Sequence, residues 1–214
     1  MGGEHEREHG GERAPGHDAA HWDERYSGRS RLWSVEPNAL VADVAGPLHP
    51  GRALDLGAGE GRHATWLARR GWQVTAVDYL AVGIGRARSL AAADAVEWIV
   101  DDVRTWRPPA GTTYDLVLVA YLHLADEVMS EVVAWLDAGG VLVVVGHALR
   151  NLTEGVGGPR DPRLLYTEAE LRSAAAGLRI ERLEEVLRPT ADGTAIDVLL
   201  VARRPDASRP GLDH

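Results

Sequence analysis

Two long, largely apolar runs, DLVLVAYL at residues 115–122 and GVLVVVGH at residues 140–147, stand out from the hydrophobic pattern of this 214-residue chain. Within them, apolar residues follow one another without the alternation that a strand with one wet face shows. Such runs are typical of central strands in a parallel sheet, where helices cover both faces. With three shorter apolar segments, they predict strands near 52–57, 73–78, 96–101, 114–121 and 140–147.

Segments with helical character lie between these strands. Pro37 suits the first turn of a helix that runs to about Gly46, because proline lacks the N–H that this turn leaves unpaired. Further helices are expected near 22–28, 61–70, 81–94 and 125–137. Strands that alternate with helices predict an α/β fold with a doubly wound, Rossmann-like parallel sheet.

The pattern changes towards the C-terminus. The segment TEAELRSAAAG at 167–177 is predicted to form a helix that stops at its glycine. Two strand-like segments, 179–189 and 194–204, flank an Asp-Gly turn at 191–193, which predicts an antiparallel hairpin. The full expectation is a seven-stranded sheet, mostly parallel, with a C-terminal antiparallel hairpin. A dinucleotide dehydrogenase would instead continue with a second strand-helix-strand half.

Composition and charge narrow the class of protein. The length suits one domain, assigned to 21–204, between a disordered polar tail at 1–20 and a flexible tail at 205–214. The chain has no cysteine, which excludes disulfides and thiolate chemistry, and its net charge of -9 argues against a nucleic-acid partner. Neither a membrane span nor a signal peptide is recognisable, so a cytoplasmic protein without a membrane partner is expected.

A glycine-rich segment, LDLGAGEGR at 54–62, connects the first predicted strand to a helix. Its G-x-G-x-G spacing predicts a tight turn, where a ligand can approach the backbone without meeting a Cβ atom. Asp78 follows Gly61 by seventeen residues, at the end of the next predicted strand, where a carboxylate can accept both hydroxyls of a ribose. A nicotinamide oxidoreductase is disfavoured, because the G-x-G-x-x-G pattern needs its third glycine one position later.

The glycine motif, together with RLWSVEPN at 31–38 and VDDVRTW at 100–106, resembles the class I S-adenosylmethionine-dependent methyltransferases. The resemblance covers residues 22–204 and is closest to small bacterial enzymes of the thiopurine and tellurite-resistance type. It implies S-adenosyl-L-methionine as the cofactor, S-adenosyl-L-homocysteine as its product, and no metal. His63 and Leu80 depart from this pattern, since asparagine and a helix-capping serine are common at their positions.

The resemblance also implies how the cofactor is held. The glycines and Asp55 would hold the methionine end, and Asp78 would bind the ribose. Asp102 would accept from the adenine amino group, with Asp101 as the competing acid. Trp33 would either close over the cofactor or anchor the N-terminal helix in the core. The complete predicted set is Trp33, Asp55, Gly57, Ala58, Gly59, Gly61, Arg62, Asp78, Tyr79, Asp102, Val103 and Ala120.

Candidate acceptor-side residues follow the fourth and fifth strands, because the crevice of such sheets opens at the carboxyl ends of the strands. His147 is the candidate base or substrate-positioning group, the alternative being a histidine bonded to a loop carbonyl. Tyr121 and His123 are candidate neighbours on the same edge. The long glycine-rich segment after His147 is expected to form a lid or a plain surface insertion, with Asn151 and Arg160 as candidate substrate contacts.

The function expected from these features is methyl transfer to a small molecule through an oxygen, nitrogen or sulfur acceptor. The fourth strand ends in AYLH at 120–123, which lacks the [DN]PP[YF] signature of the DNA amino-methyltransferases. The alternatives are a protein that binds the cofactor without methyl transfer, either a biosynthetic cyclase or a sensor.

Overall fold

The computed structural model describes residues 36–89 and 95–206. Several sequence-based expectations fall wholly or partly outside this part of the chain. They concern the polar tail at 1–20, the short helix at 22–28, Trp33, the end of the helix expected at 81–94, and most of the tail at 205–214.

The structure contains one mixed sheet of seven strands in the order β3-β2-β1-β4-β5-β7-β6. Strands β1 to β5 pair in parallel, and β7 runs antiparallel to both of its neighbours, β5 and β6. This confirms the predicted fold class, including the C-terminal hairpin. The strands are β1 Arg52–Leu56, β2 Gln73–Asp78, β3 Val96–Val100, β4 Tyr114–Ala120, β5 Leu136–His147, β6 Arg179–Thr190 and β7 Gly193–Arg203.

The helices are shorter than the sequence predicted. Three of them end before the expected residue, and β5 begins at Leu136, inside the segment expected to finish a helix. A capping box at Thr167 and Glu170 fixes the start of the last helix, as each side chain bonds the other residue's backbone N–H. The helices are α1 Ala39–Ala45, α2 Arg62–Ala68, α3 Ala81–Arg88, α4 Asp126–Ala134, α5 Asn151–Glu154 and α6 Glu168–Ala174, with a 3-10 turn at Pro162–Leu164.

The apolar runs of β4 and β5 are explained by two hydrophobic cores, one on each face of the sheet. Alternate residues of β5 serve the two faces: Leu142 and Val144 pack with Trp106, whereas Val143 packs with Leu67 on the other face. All of these side chains are buried. Both faces of the central strands are therefore closed to water, as continuous apolar runs predict.

The sheet order creates a crevice between β1 and β4. The chain proceeds from β1 outwards to β3 on one side, and from β4 onwards to β5 on the other. Ligands of doubly wound sheets bind where the order reverses, outside the carboxyl ends of the strands. Because β7 is antiparallel, it is the start of β7 that reaches this edge, and Asp197 pairs directly with His147.

Gly61 is predicted to tolerate alanine worse than Gly111, although both have a left-handed backbone, with φ of +73° and +78°. A Cβ atom on Gly61 would overlap the Trp98 ring and lie 2.8 Å from the Ala87 Cβ, whereas Gly111 has no heavy atom within 4 Å. Backbone strain is common to both, but overpacking should cost Gly61→Ala about 1–3 kcal/mol more in unfolding free energy. Urea denaturation of the two variants measures this difference, and equal losses would contradict it.

Candidate functional site

A tight turn of three left-handed glycines joins β1 to α2, with φ of +74° at Gly57, +56° at Gly59 and +73° at Gly61. Neighbouring elements approach the turn closely. A Cβ atom on Gly57 would lie 3.1 Å from the Leu122 side chain, and one on Gly83 of α3 would lie 2.8 Å from the Gly59 carbonyl oxygen. Glycine at these positions therefore lets β4 and α3 close on the turn, which has the form predicted from the motif.

Asp78 fastens this turn to the end of β2. One carboxylate oxygen accepts from the Gly59 N–H and the other from the Leu80 N–H, both at 2.8 Å. The second bond satisfies the first turn of α3, where Leu80 supplies no side-chain cap. Burial raises the pKa of Asp78, and the two N–H donors oppose this shift. Each oxygen has a further lone pair, so the predicted ribose contact is compatible with this arrangement.

Asp55 is a buried carboxylate that lacks hydrogen bonds. It is 0% exposed, and neither of its oxygens has a hydrogen-bond partner among the described residues. Burial raises its pKa to about 7, while the nearby Ala64 N–H and the Arg62 charge oppose this shift. An unsatisfied buried carboxylate is costly. It lies just before the glycine turn, and its predicted contact with the methionine end of the cofactor stays a prediction.

The two acids that follow β3, Asp101 and Asp102, accept hydrogen bonds from residues that are close by in the chain. The Asp102 carboxylate accepts from Arg104 through Nε and Nη2, at 2.6 Å for the closest pair. These bonds from Arg104 lower the pKa of Asp102. Asp101 accepts from the Asp102 backbone N–H. A bond from the adenine amino group to Asp102 would have to share the carboxylate with Arg104, and this role stays a prediction.

The remaining cofactor candidates lie around the turn and along the carboxyl ends of the strands. Tyr79 is half-buried and lies close enough to Arg104 to contribute to the raised pKa of that guanidinium, after the larger effect of Asp102. The Arg62 guanidinium lies 5.8 Å from the centre of the Tyr121 ring. The buried members of the set are Ala58, Val103 and Ala120. Their proposed contacts with the cofactor stay predictions.

Tyr121 begins the rim on the acceptor side and has an unusual backbone. Its φ of 56° is the single positive value of a non-glycine residue in the described ranges, and such conformations cluster at functional sites. Its hydroxyl donates to Asp197 at 2.7 Å and accepts from the Asn38 amide at 2.8 Å. Burial, followed by the neighbouring Asp197 charge, raises the pKa of Tyr121. The phenol is therefore a neutral hydrogen-bonding group at neutral pH.

Asp197 is the centre of the polar contacts on this rim, and sequence reasoning missed it. The carboxylate is 0% exposed, with one oxygen 3.1 Å from His147 Nδ1 and the other 2.6 Å from Arg188 Nε. Burial would raise the pKa of Asp197, but hydrogen bonds from His147, Arg188 and Tyr121 together hold it below its usual range. We call Asn38, Tyr121, His147, Arg188 and Asp197 the Asp197 cluster.

A signal for Asp197 does exist in the sequence. It is the one acid in TAIDVLLVARR, an otherwise apolar stretch that forms β7. A charged residue in a buried strand needs partners, so an acid there predicts a polar cluster. What the sequence does not reveal is which partners it meets, because Asn38 and Tyr121 come from distant elements.

The histidines of the site differ in their surroundings. His123 stacks on Tyr166 at 4.4 Å between ring centres, outside the Asp197 cluster, and partial burial lowers its pKa. His63 is buried, and its Nε2 accepts from the Asn38 N–H at 3.3 Å. Burial lowers the pKa of His63 to about 3, so it is neutral. His147 alone among these three lies beside the buried carboxylate.

The segment between β5 and α6 is bound to the hairpin. The Asn151 amide is 1% exposed, accepts from the Ile196 N–H at 2.7 Å and donates to the Gly157 carbonyl at 2.9 Å. The Val156 N–H bonds to the Thr194 carbonyl. The predicted substrate contact of Asn151 therefore finds no support in the geometry, because its amide holds this segment to β7. Arg160 donates to the Leu152 carbonyl within the same segment.

Comparison with known proteins relates part of this chain to a family. Residues 53–140 match the family described as "Methyltransferase domain". An uncharacterized methyltransferase of Mycobacterium bovis is 32% identical over 126 residues, which are 58% of this chain and 64% of that relative. The chain thus matches less than two thirds of the relative's length.

Solved structures share the fold. The N-methyltransferase NodS of Bradyrhizobium japonicum, in complex with S-adenosyl-L-homocysteine, aligns with a TM-score of 0.67 at 18% identity, covering 88% of this chain and 99% of NodS. TehB of Haemophilus influenzae aligns with a TM-score of 0.65 at 17% identity, covering 87% and 66%. The resemblance to class I methyltransferases seen in the sequence is confirmed. Within residues 36–89 and 95–206, every helix is too short or too polar to cross a bilayer.

Asn151→Ala is expected to destabilise the protein without weakening cofactor binding. The change leaves the Ile196 N–H and the Gly157 carbonyl without their partner, which should cost about 2–4 kcal/mol of unfolding free energy. Thr153→Ala, at an exposed position of the same short helix, serves as the control. Urea denaturation measures the loss of stability. If stability is unchanged and turnover is lost, the result would favour the substrate contact that the sequence predicts for Asn151.

Proposed function

We propose, from the premise that residues 53–140 of this chain belong to the methyltransferase domain family, that the protein transfers a methyl group from S-adenosyl-L-methionine to a small-molecule acceptor. The observation that carries the proposal is Asp55, a fully buried carboxylate without a hydrogen-bond partner in the described ranges, just before the glycine turn. A cationic ligand would compensate the negative charge of ionised Asp55.

The residues around the turn fit this cofactor. The carboxylate of Asp55 suits the ammonium of the methionine end, and Asp78 holds the turn while it keeps lone pairs for ribose hydroxyls. Glycine at position 57 leaves room for the Leu122 side chain to pack against the turn. Asp102 remains the candidate for the adenine amino group.

S-adenosyl-L-methionine supplies a methyl group on a sulfonium, which a nucleophile displaces in line without a metal. The protein's part is to orient the acceptor and exclude water, and orientation alone can lower such a barrier by roughly 7–11 kcal/mol. The rim formed by Tyr121, His123 and His147 lies at the carboxyl ends of β4 and β5, where an acceptor would enter. A small-molecule acceptor and a cytoplasmic location stay predictions from the sequence.

The alternative is a protein that binds the cofactor and leaves it intact, as a cyclase or a sensor would. The contacts of Asp55 and Asp78 serve this alternative equally well, since they concern binding alone. Consumption of the cofactor separates the two functions. Formation of S-adenosyl-L-homocysteine in the presence of an acceptor supports methyl transfer, and tight binding with no product from any acceptor supports the alternative.

Calorimetric titration with S-adenosyl-L-methionine, S-adenosyl-L-homocysteine and NADH tests the cofactor class. We expect micromolar binding of the first two and none of NADH. Asp78→Ala should weaken binding roughly 10- to 150-fold, because hydrogen bonds to a charged group are lost and the turn loses its anchor. Asp137→Asn, at an exposed position at the start of β5, is the matched control. Unchanged affinity in Asp78→Ala would overturn the ribose assignment.

Cofactor affinity is also expected to depend on pH through Asp55. Its pKa of about 7 means that the free protein binds a proton there below neutrality, and a cationic ligand must displace that proton. Affinity should therefore be about tenfold weaker at about pH 6 than at about pH 8. Titrations in buffers of different ionisation enthalpy should reveal the released proton. Asp55→Asn should bind more weakly, with no such pH dependence.

The same group has the opposite effect on the free protein. Because its folded pKa lies above the usual 3.8, ionisation of Asp55 opposes folding, and stability falls as pH rises from about 4 to about 7. Asp55→Asn should therefore raise the melting temperature of the ligand-free protein at about pH 8 relative to wild type, and less so in acid. A lower melting temperature at both pH values would show that Asp55 is a structural group.

A further inference from the structure

We propose that Asp197 is a positioning residue that holds His147 as the proton acceptor for a hydroxyl-bearing acceptor, so that the methyl group is transferred to oxygen. This inference rests on the proposed function, because it concerns the acceptor side of the same crevice. It is carried by the position of one buried carboxylate, the orientation of one imidazole and the glycine that lies against it.

The carboxylate determines which nitrogen of His147 carries the proton. Asp197 Oδ1 lies 3.1 Å from His147 Nδ1, a buried nitrogen that has no well-aligned hydrogen bond among the described residues, and an ionised carboxylate beside it can only accept. The hydrogen of a neutral imidazole therefore belongs on Nδ1. This leaves the lone pair on Nε2, at the opposite end of the ring, as the basic site.

Gly158 lies against the His147 ring on the side that carries this nitrogen. A Cβ atom at this position would lie 2.9 Å from His147 Cδ2 and 3.0 Å from both Cγ and Nε2. Any residue other than glycine would thus press a side chain against this part of the ring, next to the basic nitrogen. The His147 side chain is 15% exposed, so part of it remains accessible from solvent. The glycine has a left-handed backbone as well, with φ of +76°.

The charges beside His147 favour a neutral acceptor over an ammonium. The guanidiniums of Arg62 and Arg188 each lie 5.8 Å from the centre of the Tyr121 ring, which is itself 5.1 Å from the His147 ring. Arg188 pairs with the Asp197 carboxylate and Arg62 lies near the same tyrosine ring, so a protonated amine that entered beside Tyr121 would meet like charge. A hydroxyl group is neutral but must lose a proton to become a good nucleophile, which is the task of a general base.

The step balances without another reactant. The acceptor oxygen forms a bond to the methyl carbon as the carbon–sulfur bond breaks, and that electron pair stays on sulfur. The hydroxyl proton moves to Nε2 of His147, and the resulting imidazolium is stabilised by the Asp197 carboxylate. The proton then passes to water, and the methyl ether and S-adenosyl-L-homocysteine leave.

Nitrogen-15 correlation spectra of the histidine side chains test the central claim without an acceptor. Wild-type His147 is expected in the Nδ1–H form at a pH where it is neutral, assigned by comparison with His147→Gln. An Nε2–H form in the wild-type protein would overturn the proposal, because that nitrogen could not then accept a proton.

Asp197→Asn should move the proton of neutral His147 from Nδ1 to Nε2. Tyr121 and Arg188 Nε donate to Oδ2 of Asp197 at 2.7 and 2.6 Å, whereas Arg188 Nη2 donates to Oδ1 at 3.3 Å. The amide oxygen should therefore take the place of Oδ2, which has the two shorter bonds, and the amide nitrogen should face His147. Nδ1 must then accept, which moves the proton to Nε2, as happens when asparagine replaces an acid that orients a histidine. A folded Asp197→Asn protein in which His147 keeps the Nδ1–H form would show that the carboxylate does not set it. Asp137→Asn is the control.

Reaction of His147 with diethyl pyrocarbonate, followed by peptide mass spectrometry, tests the access to Nε2. Gly158→Ala should slow labelling of His147 at least several-fold. Gly157→Ala is the matched control, since its φ of +69° brings similar strain but no heavy atom lies within 4 Å of its Cβ position. Exposed His49, before β1, is the internal standard for labelling. Equal labelling in both variants would overturn the role of Gly158.

The acceptor class is tested with labelled S-adenosyl-L-methionine and compounds that share one skeleton: a phenol, an aniline and a thiophenol, with the corresponding aliphatic alcohol, amine and thiol. Methyl ether formation that is lost in His147→Gln supports the proposal. Methylation of an amine or thiol with the hydroxyl compounds untouched would overturn it while leaving the proposed function intact. Failure to bind S-adenosyl-L-methionine in calorimetry would instead remove the proposed function, whatever the form of His147.

Discussion

The acceptor side of this protein depends on one carboxylate, that of Asp197, which is enclosed in the sheet with no exposed surface. A buried charge is tolerated only when donors surround it, and here the donors come from β4, β5 and β6. Asn38, which caps α1, joins the same group through Tyr121. The requirement to neutralise one charge therefore holds α1, the strained residue that follows β4 and the hairpin in fixed positions with respect to one another.

Asp55 presents the opposite case on the cofactor side. It is as completely buried as Asp197, yet it has no hydrogen-bond partner in the described part of the chain, and burial raises its pKa where that of Asp197 is lowered. The difference separates two uses of a buried acid. A carboxylate with several donors organises the protein, whereas one without donors stores an unfavourable interaction that a cationic ligand can relieve.

The sequence predicts those features that depend on neighbours in the chain. Local rules account for the apolar runs of β4 and β5, the spacing of the glycines and the Asp-Gly turn. The structure has the buried strands, the glycine turn and the hairpin that these patterns predict. The Asp197 cluster could not be predicted in this way, because Tyr121 and Asp197 are 76 positions apart and Asn38 and Tyr121 are 83 apart. The contacts of Asn151 could not be predicted for the same reason, and its role as a substrate contact stays a prediction. The Asn151 amide oxygen accepts from the Ile196 N–H, and no local sequence pattern predicts this contact.

The position of β7 has a consequence for the order in which the molecule assembles. This strand is the last of the seven in the chain, yet it lies between β5 and β6. On the ribosome, the glycine turn and its four neighbouring strands emerge first, and β5 must keep an open edge until β7 has been made. The cofactor half can therefore become organised before the acceptor half exists. Insertion of β7 carries Asp197 to His147, so the strand that closes the sheet also completes the rim.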